Sequence, residues 1–556
     1  MINHGELHSA ASASANATAI DPSKARTFTS TAAVSASEAN ATAIDLSEAR
    51  TSTSSAAVSA SEAKRRLIFG AFLVGLAANV GVALSLRNNF PFEDSVNHLT
   101  RWVLMAHAWT GHGAPYVRLH AIPSPYLGLD LVGAALATVL SPEMTLRVTA
   151  VLVVTAIPIG FYLLLRAVNR ENTGWALVGV LVGFGFFAHV GFMNYTIGIG
   201  IALAWLAAWW PHRAALSPAR FAGLSLGIIV AYLFHLSAPL IVLVVTWLDM
   251  LLNWRDGRWK GVLGITLVLV AFFLVQAALT PIVAPGTHKF THFGTAWSKI
   301  RNLFTPFYVF GYGQAIVATA TYALALGLFL RTNPRPSLKT TWGLAVLAFL
   351  ALYFIFPANL PGAGYLDMRW LVPAMLLPFT LTSPNAKPVS LRMVMALLVA
   401  CLINTAILAR SDHAIDHELD DYAAALNQLP PAKNVLPLVA DDERWGPRVL
   451  PYRHFAFWYQ IERGGREPGL FGWPKESFMP YFEETGSLYD PQGWDGGPVE
   501  RREPLDWERI LAQYDYVIVA GPDPRVRQEV SAHTQVAYSV GEISVYAVPT
   551  RPSPGA

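Results

Sequence analysis

A chain of 556 residues has the length of about three or four soluble domains, yet 53% of its residues are hydrophobic, only 14% are charged and its mean hydropathy is +0.38. Soluble domains carry about 25% charged residues, and a charge at the bilayer centre costs on the order of 3 kcal/mol or more, so the deficit marks a chain built to sit in lipid. The formal net charge of +3 is too small to argue for a nucleic-acid partner, and the lone cysteine, Cys401 in an apolar run, excludes an intrachain disulfide and a cysteine-based metal site.

Residues 1–63 are Ala/Ser/Thr-rich and nearly free of aromatics. The stretch NATAIDPSKARTFTSTAAVSASEA from Asn16 recurs from Asn40 as NATAIDLSEARTSTSSAAVSASEA. Such composition predicts a disordered tail made by tandem duplication. The first apolar run begins only at Leu67, so the tail does not read as a secretory signal.

From 64 to 410 apolar runs alternate with short polar breaks and predict a mainly α, polytopic transmembrane bundle. The expected spans are 67–86, 145–166, 174–190, 195–211, 219–236, 238–253, 261–282, 312–330, 341–356, 370–383 and 391–409. The run 126–140 is short, follows Pro123 and Pro125 and contains Asp130. The positive-inside rule decides its fate. With Lys64, Arg65 and Arg66 cytoplasmic and 126–140 not crossing, the basic breaks at 166–170, 212–220, 254–260, 331–339 and 387–392 all fall in the cytoplasm. About eleven spans, with 126–140 interfacial or re-entrant, is therefore the expectation. The carboxyl-terminal segment 411–556 then lies outside. It reads as a small α/β domain: DHELDDYAAALNQL as a helix, VLPLVA, YVIVA, QVAYSV and ISVYAV as strands, PDPRVRQEV as a turn into a helix, and 464–505 as an irregular loop. No glycine signature that cradles phosphate follows its strands.

Candidate chemistry gathers in the loops opposite the basic ones. In the first, 87–125, Glu93-Asp94 precedes a helical pattern that puts His98 at i+4 and Arg101 at i+7 from Asp94, with Trp102 and Met105 extending a face suited to the membrane surface. A carboxylate there can deprotonate an acceptor or hold a divalent cation, while Arg101 or His98 neutralises a phosphate. The bland alternative is a solvated loop whose Asp caps a surface helix. HVGFMNYT offers His189, Asn194 and Tyr195, and YLFHLSAP offers His235; each histidine can equally satisfy helix-end carbonyls. FPANLPGAGYLDMRW ends in Asp367 and Arg369, and an arginine kept against the charge rule suits an anion. THKFTHFGT adds His288, Lys289 and His292 without the spacing of a helical zinc motif.

This plan, with FEDSVNHLTRW directly after the first span, resembles the GT-C superfamily of integral membrane glycosyltransferases. GFMNYTIGIGIALAWLAAWW followed by VAYLFHLSAPLIVLV resembles bacterial membrane proteins placed near that superfamily. The resemblance implies transfer of a sugar from a polyprenyl-phosphate donor to a glycan, lipid or protein acceptor on the outer face. It implies Asp94, with Glu93 beside it, as catalytic base or ligand of a divalent cation (Mg or Mn), and Arg369 as the group that assists the lipid phosphate. The adjacent Glu93-Asp94 departs from the family's spaced acidic pair. Composition points to a multi-pass protein of a bacterial inner membrane. Two other readings stand beside this one. A transporter or flippase would place polar residues mid-span, where Gln276 and Asn404 are the main examples. An envelope assembly factor would use 411–556 and dispense with Asp94.

Overall fold

A computed structural model describes residues 32–87, 92–280, 291–360, 364–440, 449–473, 479–494 and 502–549, with side chains from residue 59 onward. Met1–Arg66 and Leu67–Ala556 form separate units. Helix α1 (Ala32–Ser85) begins in the first, where a disordered tail is expected over 1–63. No glycine or proline lies between 32 and 69, and alanine is the best helix former. Residues 1–31, with the first copy of the repeat, lie outside the described residues.

In the second unit the loop after α1 carries α2 (Ser95–Trp109) and β1 (Val117–Leu119), and α3 (Leu127–Ala137) follows. The bundle continues with α4 (Pro142–Val168), α5 (Ala176–Gly183), the single turn α6 (Phe186–His189), α7 (Met193–Trp209), α8 (Pro218–Phe234), α9 (Ser237–Leu252) and α10 (Trp259–Leu279). It closes with α11 (Ala296–Arg301), α12 (Tyr312–Thr332), α13 (Thr341–Ile355), α14 (Leu371–Leu376) and α15 (Leu391–Asn427). Local chemistry sets these boundaries. At α4, Ser141 Oγ accepts from Met144 N (3.3 Å), Pro142 takes the first turn, and Glu143 and Arg166 sit at the dipole ends that suit them. Gly160 of α4 meets Gly200 of α7 backbone to backbone, the close approach small residues permit between apolar helices.

Among the described residues, Ser59–Ser85, Pro142–Val168, Arg170–His189, Trp259–Leu279, Tyr312–Thr332 and Leu391–Asn427 are long and apolar enough to cross a membrane. The other expected spans form shorter helices, such as the 17 residues of α8 and 15 of α13. A 17-residue helix reaches about 26 Å, under the roughly 30 Å of a hydrocarbon core. The expected span 370–383 is no continuous helix: α14 is flanked by 3-10 turns at Met368–Trp370 and Leu377–Thr380, with Pro373 and Pro378 interrupting the ladder. At 11 residues, α3 is likewise too short to cross alone.

Helix α15 runs unbroken through the expected domain boundary at 410/411. Beyond it come β2 (Val435–Val439), α16 (Phe457–Arg463), β3 (Phe482–Glu484), α17 (Trp507–Gln513), β4 (Tyr516–Ala520), α18 (Pro524–Ser531), β5 (Gln535–Val540) and β6 (Ile543–Ala547). The sheet order is β2-β4-β6-β5, with β2 and β4 parallel and the other pairs antiparallel. A second, two-stranded sheet pairs β1 with β3, Val117 opposite Glu484 and Leu119 opposite Phe482. It stitches the first loop to the stretch read as irregular.

Helix α2 is not the surface helix its pattern suggests, because every residue from Ser95 to Ala106 is buried. Arg101 is fully enclosed and pairs with Asp130 of α3. The same carboxylate accepts from Trp102 Nε1 (2.8 Å) and Tyr481 Oη (2.6 Å), and Arg101 Nη1 also meets Met479 Sδ (2.8 Å). Removing one partner of a buried pair leaves an uncompensated charge, at a cost of about 3–5 kcal/mol, whereas replacing both with apolar groups is often neutral. Asp130→Ala will therefore lower the thermal midpoint of the detergent-solubilised protein far more than the Arg101→Met/Asp130→Leu double variant. Equal losses would contradict this account of the cluster.

Candidate functional site

Glu93 and Asp94 immediately precede α2. The Glu93 N–H donates to the His189 carbonyl (3.1 Å). Gly191 follows in the same turn with φ +84°, and a Cβ there would lie 2.5 Å from Asp94 N and 2.7 Å from Asp94 Cβ. The HVG turn and the acidic loop thus meet backbone to backbone, which only glycine allows. From the carboxyl-terminal segment, Arg453 Nη1 reaches Glu93 Oε1 (2.7 Å) and Leu450 N donates to Glu93 Oε2 (3.4 Å). His454 Nε2 stands 3.5 Å from Asp94 Oδ1. Asp94 is the N-cap residue of α2, but its side chain makes no capping bond. Buried Asn97, a turn into α2, donates to the Gly469 carbonyl and accepts from Phe471 N, both at 3.0 Å.

The second group comes from later loops. His235 ends α8, its Nδ1 accepting from Ser237 N (3.0 Å). A neutral ring in that state carries its proton on Nε2, which lies 3.2 Å from Tyr126 Oη and 3.1 Å from Arg369 Nη1. Arg369 therefore receives no lone pair from the imidazole. Its Nη2 donates to the Gly364 carbonyl (3.0 Å), its plane lies over Phe192, and it forms no ion pair with any described carboxylate. Tyr195 Oη holds the Arg369 carbonyl at 2.6 Å. The Asn194 amide, with its nitrogen turned toward the carbonyls of Tyr126 (3.2 Å) and Phe234 (3.3 Å), fixes the same corner.

These groups converge on one cleft of about 280 Å³. Glu93, Asp94, His98, Asn194, His235 and Arg369, singled out from separate loops of the sequence, all line it. Tyr126, Phe192, Tyr365, Arg453, Phe471 and Met479 complete much of the lining and escaped the sequence reading. Two of them carry backbone strain, since Tyr126 and Tyr365 hold positive φ without being glycine (74° and 54°), as does His454 beside Asp94 (62°). Such residues cluster where surroundings over-determine them.

Other expected site residues lie elsewhere. Arg101 is bound to Asp130 and cannot turn to a phosphate. His189 is buried, with Nδ1 on the Gly185 carbonyl (2.9 Å) and Nε2 3.3 Å from Asp412; it serves the cleft through its backbone. Asp367 caps Met368 N (2.8 Å) and pairs with buried Lys299 (3.3 Å), which braces the loop that presents Arg369. His292 bridges to Asn359, while His288 and Lys289 lie outside the described residues. Among the described residues no three His, Cys, Asp or Glu side chains gather to hold a metal. Glu93 already faces the Arg453 guanidinium.

Burial, then Arg101 and His454, pushes the His98 pKa well below 6.5; burial, then Arg453, does the same for His454. Both rings are neutral at pH 7. An unfolded chain takes up protons at these histidines near pH 6.5, whereas the folded chain does not, so their joint effect is lost stability as pH falls below about 6.5. Each contributes a slope of at most about 1.4 kcal/mol per pH unit. His98→Gln will flatten the acid limb of the thermal-stability profile between pH 6.5 and 4.5, and an unchanged limb would contradict a neutral buried ring.

No family model matches this chain, and no curated protein matches it. A solved structure, the single-particle cryo-EM structure of the arabinofuranosyltransferase AftD from Mycobacteria, is similar over 88% of this chain, at 13% sequence identity and a TM-score of 0.43. The chain spans 40% of the length of that protein.

Proposed function

We propose that this protein is a membrane glycosyltransferase that moves a sugar from a polyprenyl-phosphate donor to an acceptor on the outer face of a bacterial inner membrane. The observation that carries this reading is the meeting of Asp94 and Arg369 in one cleft although a bundle of apolar helices separates them in sequence. The cleft offers a carboxylate for a proton and a guanidinium without a protein carboxylate for an anion. That is the complement of a sugar phosphate and a hydroxyl acceptor.

In this reading Asp94 accepts the proton of the acceptor hydroxyl as its oxygen bonds to the anomeric carbon. The bond from that carbon to the phosphate oxygen breaks, and the lipid phosphate leaves carrying the electron pair. Arg369, which lines the cleft, neutralises the leaving group. Arg453 holds Glu93 and so keeps the acidic loop in place, while the neutral His454 ring sits beside Asp94. The lipid lies between helices, eleven segments cross the membrane with the amino terminus cytoplasmic, and the carboxyl-terminal segment is extracytoplasmic. The polar residues that a transport path would use are hydrogen-bonded between helices: Gln314 Nε2 donates to Asn404 (3.0 Å) and Tyr232 bonds Gln276.

Mass spectrometry of envelope glycans and lipids from a deletion strain tests this. Wild-type chain will restore a missing sugar. Asp94→Asn, matched for membrane abundance, will restore it at a rate about 100-fold lower or less, the contribution of a general base. Arg369→Ala will lose a similar factor, that of one charge-stabilising donor. Full restoration by Asp94→Asn would overturn the catalytic assignment.

A further inference from the structure

A groove of about 520 Å³ runs along α7 and α8, at the far ends of these helices from the cleft. Asn194 and Tyr195 at the start of α7 and His235 after the end of α8 line the cleft. The groove instead reaches His212, just past α7, and Arg220, in the first turn of α8. Along α8, Arg220, Gly223 and Gly227 share one face; on the opposite wall Ala204, Ala208 and His212 do the same. Buried Trp205, its Nε1 donating to the Leu224 carbonyl (2.8 Å), packs on Gly227, where a Cβ would come within 2.9 Å of the ring. From Arg220 to Val230 the groove is about 15 Å long at 1.5 Å per residue, half of a roughly 30 Å hydrocarbon core and so the depth of one leaflet.

Among the residues lining the groove, only His212 and Arg220 carry ionisable side chains. Arg220 is exposed, and neither of the two forms an ion pair with a described carboxylate. The buried acid at this end of the bundle, Asp249, is already taken by Arg213 (3.8 Å) and Arg258 (2.9 Å). An apolar channel as deep as one leaflet, with an accessible guanidinium and an imidazole at one end, is the complement of a long chain with an anionic head. We propose that this groove binds an anionic phospholipid, with one acyl chain along α7 and α8 and the phosphate against Arg220 and His212. The planar guanidinium can hold two phosphate oxygens at once, and the imidazole adds an N–H donor. A zwitterionic choline head brings its own cation to this basic end, whereas a glycerol head leaves the phosphate charge uncompensated; that difference is the source of selectivity. No residue of the groove lines the cleft, so the site stands independently of the glycosyl-transfer reading.

Native mass spectrometry of the full chain, titrated in detergent with phosphatidylglycerol or with phosphatidylcholine of the same acyl chains, tests the proposal. Wild type will bind phosphatidylglycerol about fivefold more tightly, the worth of one basic residue facing an anionic lipid. Arg220→Gln will erase that preference and leave phosphatidylcholine binding unchanged. Gly223→Leu will weaken both lipids about tenfold, as when roughly two methylenes lose their burial. A Cβ at Gly223 meets nothing within 4 Å, so that variant fills the groove without disturbing the helix. Equal binding of the two lipids by wild type, a preference that survives Arg220→Gln, or wild-type binding by Gly223→Leu overturns the site. A dimer that dissociates in Gly223→Leu, without lipid selectivity, also overturns it and gives the groove to a second copy of the chain.

Discussion

A guanidinium that cannot lose its proton has to find a counter-charge wherever water is excluded. Arg101 is such a group, and Asp130 is its answer. The Asp130 carboxylate also takes hydrogen bonds from Trp102 and from Tyr481. One buried cluster therefore fixes α2 against α3 and against a residue far along the chain. Because α2 begins directly after Asp94, that cluster sets where the acidic loop stands. The β1–β3 pairing and the Asn97 bonds to Gly469 and Phe471 repeat the connection at other points along the same loop.

The cleft is a consequence of this clamping. Glu93 and Asp94 are neighbours in sequence with different partners: Glu93 faces the guanidinium of Arg453, and Asp94 the ring of His454. Burial keeps that ring neutral, and Arg453 beside it works in the same direction. Across the cleft, Arg369 is held by the Gly364 carbonyl and by the face of Phe192 rather than by a carboxylate. A site that spends its own acid on one cation and leaves a second cation without one is arranged for an anionic ligand.

Much of this was legible in the sequence, for identifiable reasons. Apolar runs are local signals, and so are the alternating strands of the final sheet. Conspicuous polar residues in the loops were enough to nominate Asp94, His98, Asn194, His235 and Arg369. Partnerships were not legible. Asp130 stood out as a charge in a short apolar run, but nothing local ties it to Arg101, and the helical pattern that put Arg101 on the face of Asp94 ignores which neighbour encloses that face. Arg453 and His454 lie in a stretch rich in glycine, proline and aromatics, where periodicity carries no information. The expected span 370–383 took no account of Pro373 and Pro378, which interrupt it.

The central claim is that Asp94 and Arg369 act on one bound sugar phosphate, and a double-mutant cycle in reconstituted vesicles tests it most directly. Vesicles carrying wild type, Asp94→Asn, Arg369→Ala or both would be supplied with a panel of polyprenyl-phosphate-linked sugars, and the released lipid phosphate followed. The account predicts turnover by wild type and a double variant little worse than either single one, as groups serving one transition state behave. Losses that simply multiply, or turnover by Asp94→Asn at the wild-type rate, would contradict it.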